Sequence, residues 1–171
     1  SNGDVIAQRL AETLRIDYYD RAILEAIVAA SKVEPFFMER LDEKPTGILA
    51  DFLCSTLHGK NSFHDDYLRN LARVIKAIAV KGGVIVGRGA HRILKDSATL
   101  RFRVTGSPRF CVARLMRLLN LNEKEASSHY QRVREERALF LKRSFNADLD
   151  DPQNYALILN TDHLTVERGL E

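Results

Sequence analysis

Val84-Ile85-Val86-Gly87-Arg88-Gly89-Ala90-His91 is the stretch that decides how this chain folds. Its first three residues are apolar and β-branched, with no polar alternation, which is the pattern of a short strand covered on both faces. Strands of that kind belong to parallel sheets with helices above and below. The run then leaves the strand through an arginine bracketed by glycines, and glycine lets backbone turn sharply and approach a ligand closely.

Upstream of this strand, Leu68, Leu71, Ile75 and Ile78 recur at helical spacing between His64 and Lys81, with Arg69, Arg73 and Lys76 turned away. Lys81-Gly82-Gly83 stops that helix. Nearer the start, Ile6, Leu10 and Leu14, with Ala7 and Ala11, predict a helix from Asp4 to Arg15. A short strand from Ile16 to Tyr19 follows, then a helix to Ala30 capped by Asp20. Val33–Leu41 and Ile48–Leu57 read as helical, separated by the breaker Lys44-Pro45-Thr46-Gly47. Downstream, Leu100–Val104 is a second strand, and Ser107-Pro108 caps a helix over Arg109–Leu119. Asn122 with Glu125 is a capping box opening a long charged helix to about Ser144. Asp151-Pro152 ends a linker, Tyr155–Leu159 is the last strand, and Leu164 opens a final helix. Strands separated by helices need crossover connections, so the expected class is α/β: a parallel sheet with helices on both faces.

The 171 residues suit a single domain with its own hydrophobic core, and a 45% hydrophobic, 29% charged composition is ordinary for one. No apolar run reaches the length that spans a bilayer. Cys54 and Cys111 form no CxxC and have no histidine at metal-ligand spacing, so no zinc site is written here. Such thiols suit a reducing compartment, and the cytoplasm is the expected location. A net charge of +3, with lysine and arginine spread along the chain, is a weak footprint for a nucleic-acid binder. It favours a small anionic ligand over nucleic acid or membrane.

Parallel sheets collect ligands at the carboxyl ends of their strands. Here those ends are Asp20-Arg21, Gly87-Arg88-Gly89, Thr105-Gly106 and Asn160-Thr161. The Arg88 guanidinium offers a planar fork of donors that fits phosphate, although an arginine in an ordinary surface turn has the same local sequence. His91, one turn into the next helix, reads as a solvent-facing or capping residue. On the helix after Asn122, Ala126, Tyr130, Val133, Phe140 and Ser144 mark one face with Arg137 in its middle, and a buried charge needs a partner. Arg134 lies one turn away. The two either close over a polyphosphate or pair with Glu135, Glu136 or a carboxylate elsewhere as a solvated face. Arg114 and Arg117 repeat that spacing and that choice. At the front, Ser1-Asn2-Gly3 leads into a helix whose free amides attract anions, but G-x-x-x-x-G-K-[ST] is absent and Asp4 stands where a cation would help.

Taken in order, these pieces resemble the cytidylate kinase-like family, a branch of the P-loop nucleoside monophosphate kinases. The resemblance runs through Ile6-Ala7-Gln8-Arg9-Leu10-Ala11, Ile16-Asp17-Tyr18-Tyr19-Asp20-Arg21, Asp42-Glu43-Lys44-Pro45 and Val84–Ala90 with Ile93-Leu94. It continues through Arg114-Leu115-Met116, Glu123-Lys124-Glu125-Ala126, Arg137-Ala138, Asp151-Pro152-Gln153-Asn154-Tyr155 and Leu159-Asn160-Thr161-Asp162. It implies a P-loop kinase-like fold with a mostly helical nucleotide-monophosphate side over about 21–81 and a helical lid over about 122–150. Asp20, Arg21, Gly87 and Arg88 would then surround the acceptor monophosphate. Asn2, Gly3, Arg114, Arg134 and Arg137 would face ATP, with Arg88, Arg134 and Arg137 as the catalytic cations. The implied reaction moves the γ-phosphoryl of ATP, with Mg²⁺, to a (deoxy)cytidine-type monophosphate, by positioning and charge stabilisation.

Two departures from the family pattern shape the expectations. The family begins with a strand running into a Gly-Ser-Gly-Gly loop, whereas this sequence begins at what matches the end of that loop. The sheet's first strand is thus expected to be missing, with the strands at Val84 and Leu100 closing on one another or a second copy filling the slot. Asp4 also replaces a basic residue. Together these departures support an alternative reading: a catalytically impaired, kinase-like nucleotide-binding module with a regulatory or assembly role.

Overall fold

A computed structural model describes residues 1–30, 61–97 and 99–169. The described elements run α1 (Gly3–Leu14), β1 (Asp17–Tyr19), α2 (Arg21–Ala30), α3 (Asn61–Lys81), β2 (Gly83–Ile85) and α4 (Ala90–Ile93). They continue with β3 (Phe102–Thr105), α5 (Pro108–Leu119), α6 (Glu123–Phe145), a 3₁₀ turn (Pro152–Asn154) and β4 (Leu157–Asn160). Their boundaries follow local chemistry. Asp20 Oδ1 accepts from the Ile23 amide at 2.9 Å and so caps α2, while Ser107 Oγ accepts from Phe110 at 3.2 Å and caps α5. Asn122 and Glu125 complete both halves of the capping box that opens α6. Gly82, at φ 90°, turns the chain out of α3.

Among the described residues the strands pair in parallel, as crossover helices require, but in two separate pairs. β1 lies against β2 with Asp17 opposite Gly83 and Tyr19 opposite Ile85, and β3 lies against β4 with Phe102 opposite Leu157 and Thr105 opposite Asn160. Direct closure of the Val84 strand on the Leu100 strand therefore does not occur among the described residues. The element that spans both pairs is a helix. α1 packs against β1, β2 and β3, and a Cβ added at Gly3 would stand 3.2 Å from Val104 Cβ. Ile6 and Ala11 of α1 are buried, so the two pairs are joined by apolar packing instead of a backbone ladder.

The core lies on the β1–β2 side, where Leu24 and Val28 of α2 meet Leu71, Ile75 and Ile78 of α3 with Ala90 and Leu94. Leu24, Leu71 and Ile75 have no exposed surface. Burying each such side chain is worth about 1.5–3 kcal/mol. This cluster holds α2 and α4, the two helices that start at the ends of β1 and β2.

The expected final helix does not form. Residues 164–169 make turns with one helical bond, Gly169 N to Thr165 O at 3.1 Å. Two β-branched residues, Thr165 and Val166, and Gly169 in so short a stretch are too weak to nucleate more. The expected helices Val33–Leu41 and Ile48–Leu57, Cys54 and the Asp42–Pro45 stretch lie outside the described residues. Among the described residues, no helix is long and apolar enough to cross a membrane.

Candidate functional site

The ends of β1 and β2 are adjacent because the strands pair in register, and Val86 N extends the ladder to Tyr19 O at 2.8 Å. Beyond them Asp20 is committed to its cap, which makes Arg21 the first residue of α2. Arg21 Nε donates to Glu25 Oε1 at 3.1 Å, one turn along the helix.

Gly87, Arg88 and Gly89 all adopt left-handed backbone, at φ 85°, 48° and 69°. For Arg88 this conformation costs about 1–2 kcal/mol, and such strain concentrates at functional sites. The turn buries the Arg88 side chain to 8% exposure, forms an ion pair with Glu25 Oε1, and sets its guanidinium carbon 5.0 Å from the centre of the Phe140 ring. Arg21 and Arg88 thus share one carboxylate oxygen. The buried Nε of Arg88 has no hydrogen-bond partner among the described residues.

Burial lowers the Arg88 pKa to about 9, with Arg21 adding repulsion and Glu136 opposing it. At about 9 the group still carries its charge at neutral pH. Burial, then Arg21, also lowers the pKa of Arg137, while Asp4 raises it. Arg137 is nevertheless exposed to solvent by its accessible surface, so it is not sealed in a core. Arg21 presses on both of the other arginines, so the three share one electropositive region suited to an anion.

Arg114 is spoken for. It donates to both carboxylate oxygens of Asp4, at 3.0 and 2.9 Å, and is 15% exposed. That pair ties the first turn of α1 to α5 and neutralises the charge that the sequence sets against phosphate. Asn2 precedes α1 without a side-chain cap bond, Gly3 is its first residue, and the Ser1 amino group lies 2.9 Å from Cys111 Sγ. Arg134 pairs with a carboxylate elsewhere in the chain, Asp150, at 2.5 Å, as the solvated-face reading allows, while Arg132 pairs with Glu136 at 3.1 Å. Asp150 also holds Arg103, which reaches Leu149 O and lies 5.6 Å from the Tyr155 ring.

His91 is not solvent-facing as expected. Its ring sits 4.9 Å from that of Tyr155, and burial, with Arg92, Arg101 and Arg103, lowers its pKa to about 4. The other two strand ends bond among themselves: Thr161 Oγ1 donates to Thr105 O and Ser107 N to Asp162 Oδ1, both at 2.8 Å. Two open concavities along α6, of about 690 and 540 Å³, share Arg132 and include none of Arg21, Arg88 or Arg137. Concave shape and charge therefore disagree, and the strained, cation-rich strand ends are the better guide to chemistry.

Sequence reasoning missed Glu25, Arg103 and Asp150. Glu25 carries a signal, since it stands four residues after Arg21 on a helix. Its contact with Arg88 has none.

The model of the cytidylate kinase-like family matches residues 1–163. Among solved structures, the chain is similar to an uncharacterized protein from Eubacterium ventriosum ATCC 27560, with a TM-score of 0.69 and 24% identity over 94% of this chain and 82% of that one. At that identity the likeness shows the fold alone. No curated protein matches.

Proposed function

The chain belongs to the cytidylate kinase-like family, and from that premise we propose that it transfers the γ-phosphoryl group of ATP to a (deoxy)cytidine-type nucleoside monophosphate. The observation that carries this reading is the meeting of Arg21 and Arg88, from two adjacent strand ends, on a single carboxylate oxygen. Two guanidinium groups converging on one anionic point make a fitting receptor for a terminal phosphate.

In this reading Asp20, Arg21, Gly87 and Arg88 form the acceptor side, and Asn2, Gly3, Arg114, Arg134 and Arg137 the ATP side. Arg137, perturbed by Arg21, stabilises charge between the two. Phosphoryl transfer needs little covalent help from the protein, so cations that fix and neutralise the oxygens carry the catalysis. Mg²⁺ supplies further charge neutralisation when it arrives with ATP. Among the described residues no group of three or more His, Cys, Asp or Glu side chains could hold a metal ion by itself, so the ATP phosphates and water would supply most of the Mg²⁺ ligands.

ADP release measured with CMP, dCMP, UMP and AMP tests the proposal. Turnover is expected with the cytidine acceptors, and turnover with none of the four overturns it. The second reading, nucleotide binding without catalysis, draws on Asp4, whose two carboxylate oxygens both accept from Arg114 Nη2. Calorimetric binding without turnover would favour it, and turnover would end it.

A further inference from the structure

Glu25 belongs to no part of the phosphoryl-transfer machinery described above, yet it is the carboxylate on which both acceptor-side arginines converge. Its Oε1 accepts from Arg21 Nε at 3.1 Å and pairs with Arg88. Arg88 is 8% exposed and Glu25 28%, so Glu25 is the more solvent-accessible member of the pair. Phe140 lies against the Arg88 guanidinium. A phosphate approaching Arg88 therefore meets a position already taken by a carboxylate.

We propose that Glu25 is an internal competitor for the monophosphate site: its carboxylate holds Arg21 and Arg88 together, and a phosphate must displace it to bind them. This rests on the reading of those two arginines as the acceptor cradle. One carboxylate oxygen serves two guanidinium groups, and the Arg88 Nε has no hydrogen-bond partner among the described residues. A phosphate dianion carries twice the charge and three terminal oxygens, so it can satisfy both arginines and the orphaned Nε. A singly charged anion gains little by the exchange. Displacement is feasible because the Glu25 side chain, 28% exposed, can swing about its own torsions, whereas the Arg88 side chain is 8% exposed and packed on the Phe140 ring. Glu25 thereby sets specificity for a dianionic phosphate ester over weaker anions. A purely supporting carboxylate would make the opposite prediction, because its loss would slacken the arginines and weaken phosphate binding.

Calorimetry with CMP, cytidine and inorganic phosphate, on the wild type, Glu25→Gln and Glu25→Asp, separates these cases. Removing the competing charge is expected to tighten CMP and inorganic phosphate by roughly tenfold, the scale of one charge-assisted hydrogen bond, and to leave cytidine unchanged. Glu25→Asp keeps the charge but falls one methylene short of Arg88, so it is expected to tighten CMP by less. It decides the matter should Glu25→Gln fail to fold. Equal or weaker CMP binding by the folded variants overturns the competition while leaving the cradle reading intact, provided the wild type binds CMP more tightly than cytidine. No preference for CMP over cytidine in any form overturns both. A crystal structure of the wild type with phosphate gives an independent reading. The Arg88–Glu25 contact is expected to open beyond ion-pair distance, and a contact still closed beside bound phosphate refutes the displacement.

Discussion

Arg88 was legible before any coordinates because its position and its chemistry agree: a buried strand, a glycine on each side, and a side chain that forks toward phosphate. Arg88→Ala is expected to weaken CMP binding by about 1.5–3 kcal/mol, roughly ten- to a hundredfold, and ATP binding by clearly less. Equal losses for the two ligands in calorimetry would contradict its assignment to the acceptor side. What could not be read was the far side of the contact, because Glu25 is 63 positions earlier in the chain and Phe140 is 52 later. His91 was misread for the same reason, since its solvent-facing expectation came from helix position alone and Tyr155 belongs to another part of the chain. Its titration has a consequence for stability. With its folded pKa near 4 against an ordinary 6.5, His91 stays neutral where the unfolded chain takes up a proton. Stability should therefore fall as pH drops from about 6.5 toward 4. His91→Phe keeps a ring against Tyr155 and removes the titration. The urea midpoint of the wild type is expected to fall between pH 7 and 4.5 by more than that of the variant, and equal falls would show that another group is responsible.

Elements whose limits depend on neighbouring residues were read well. The caps at Asp20, Ser107 and Asn122 each use a side chain three residues from the amide it satisfies, so the signal is wholly local. The helix expected from Leu164 failed because β-branched Thr165 and Val166 and then Gly169 outweigh the good helix formers Glu167 and Arg168. Contacts between elements left less trace. Gly89 looks like a loop glycine, yet it is the point at which α4 begins against the last turn of α6. A Cβ there would lie 2.2 Å from Phe145 Cε2, and the backbone is left-handed. Gly89→Ala is expected to cost about 2–4 kcal/mol through left-handed strain and overpacking together. Phe145→Ala removes only the second part, so the double variant should be destabilised by less than the sum of the two single ones in denaturant unfolding. Strict additivity would mean that the ring shifts aside freely and that strain alone accounts for the cost.

Across the whole molecule, alternating strands and helices correctly indicated parallel pairing, while the joining of the pairs was beyond periodicity. An amphipathic pattern shows that α1 buries one face, but not that this face serves two sheets at once. The consequence is an uneven distribution of stability. The fully buried Leu24, Leu71 and Ile75 all lie with β1 and β2, whereas Phe102, Leu157 and Ile158 of the second pair are 40%, 47% and 41% exposed. Regions with fewer buried apolar contacts open at lower free energy. Amide hydrogens of α2 and α3 are therefore expected to exchange most slowly, and those of β3 and β4 faster. The Asp4–Arg114 pair fastens α1 to α5, which follows β3, so it should matter chiefly to the weaker side. Arg114 is 15% exposed but Asp4 58%, so loss of the arginine leaves a carboxylate that water can solvate; Arg114→Ala is expected to cost about 0.2–1 kcal/mol. Hydrogen exchange by mass spectrometry should show that cost as faster exchange in α5, β3 and the first turn of α1, with Leu71–Ile78 of α3 nearly unchanged. If exchange rises equally in α3, the chain opens as one cooperative unit, and α1 is then a rigid strut between the sheets and not a joint at which they part.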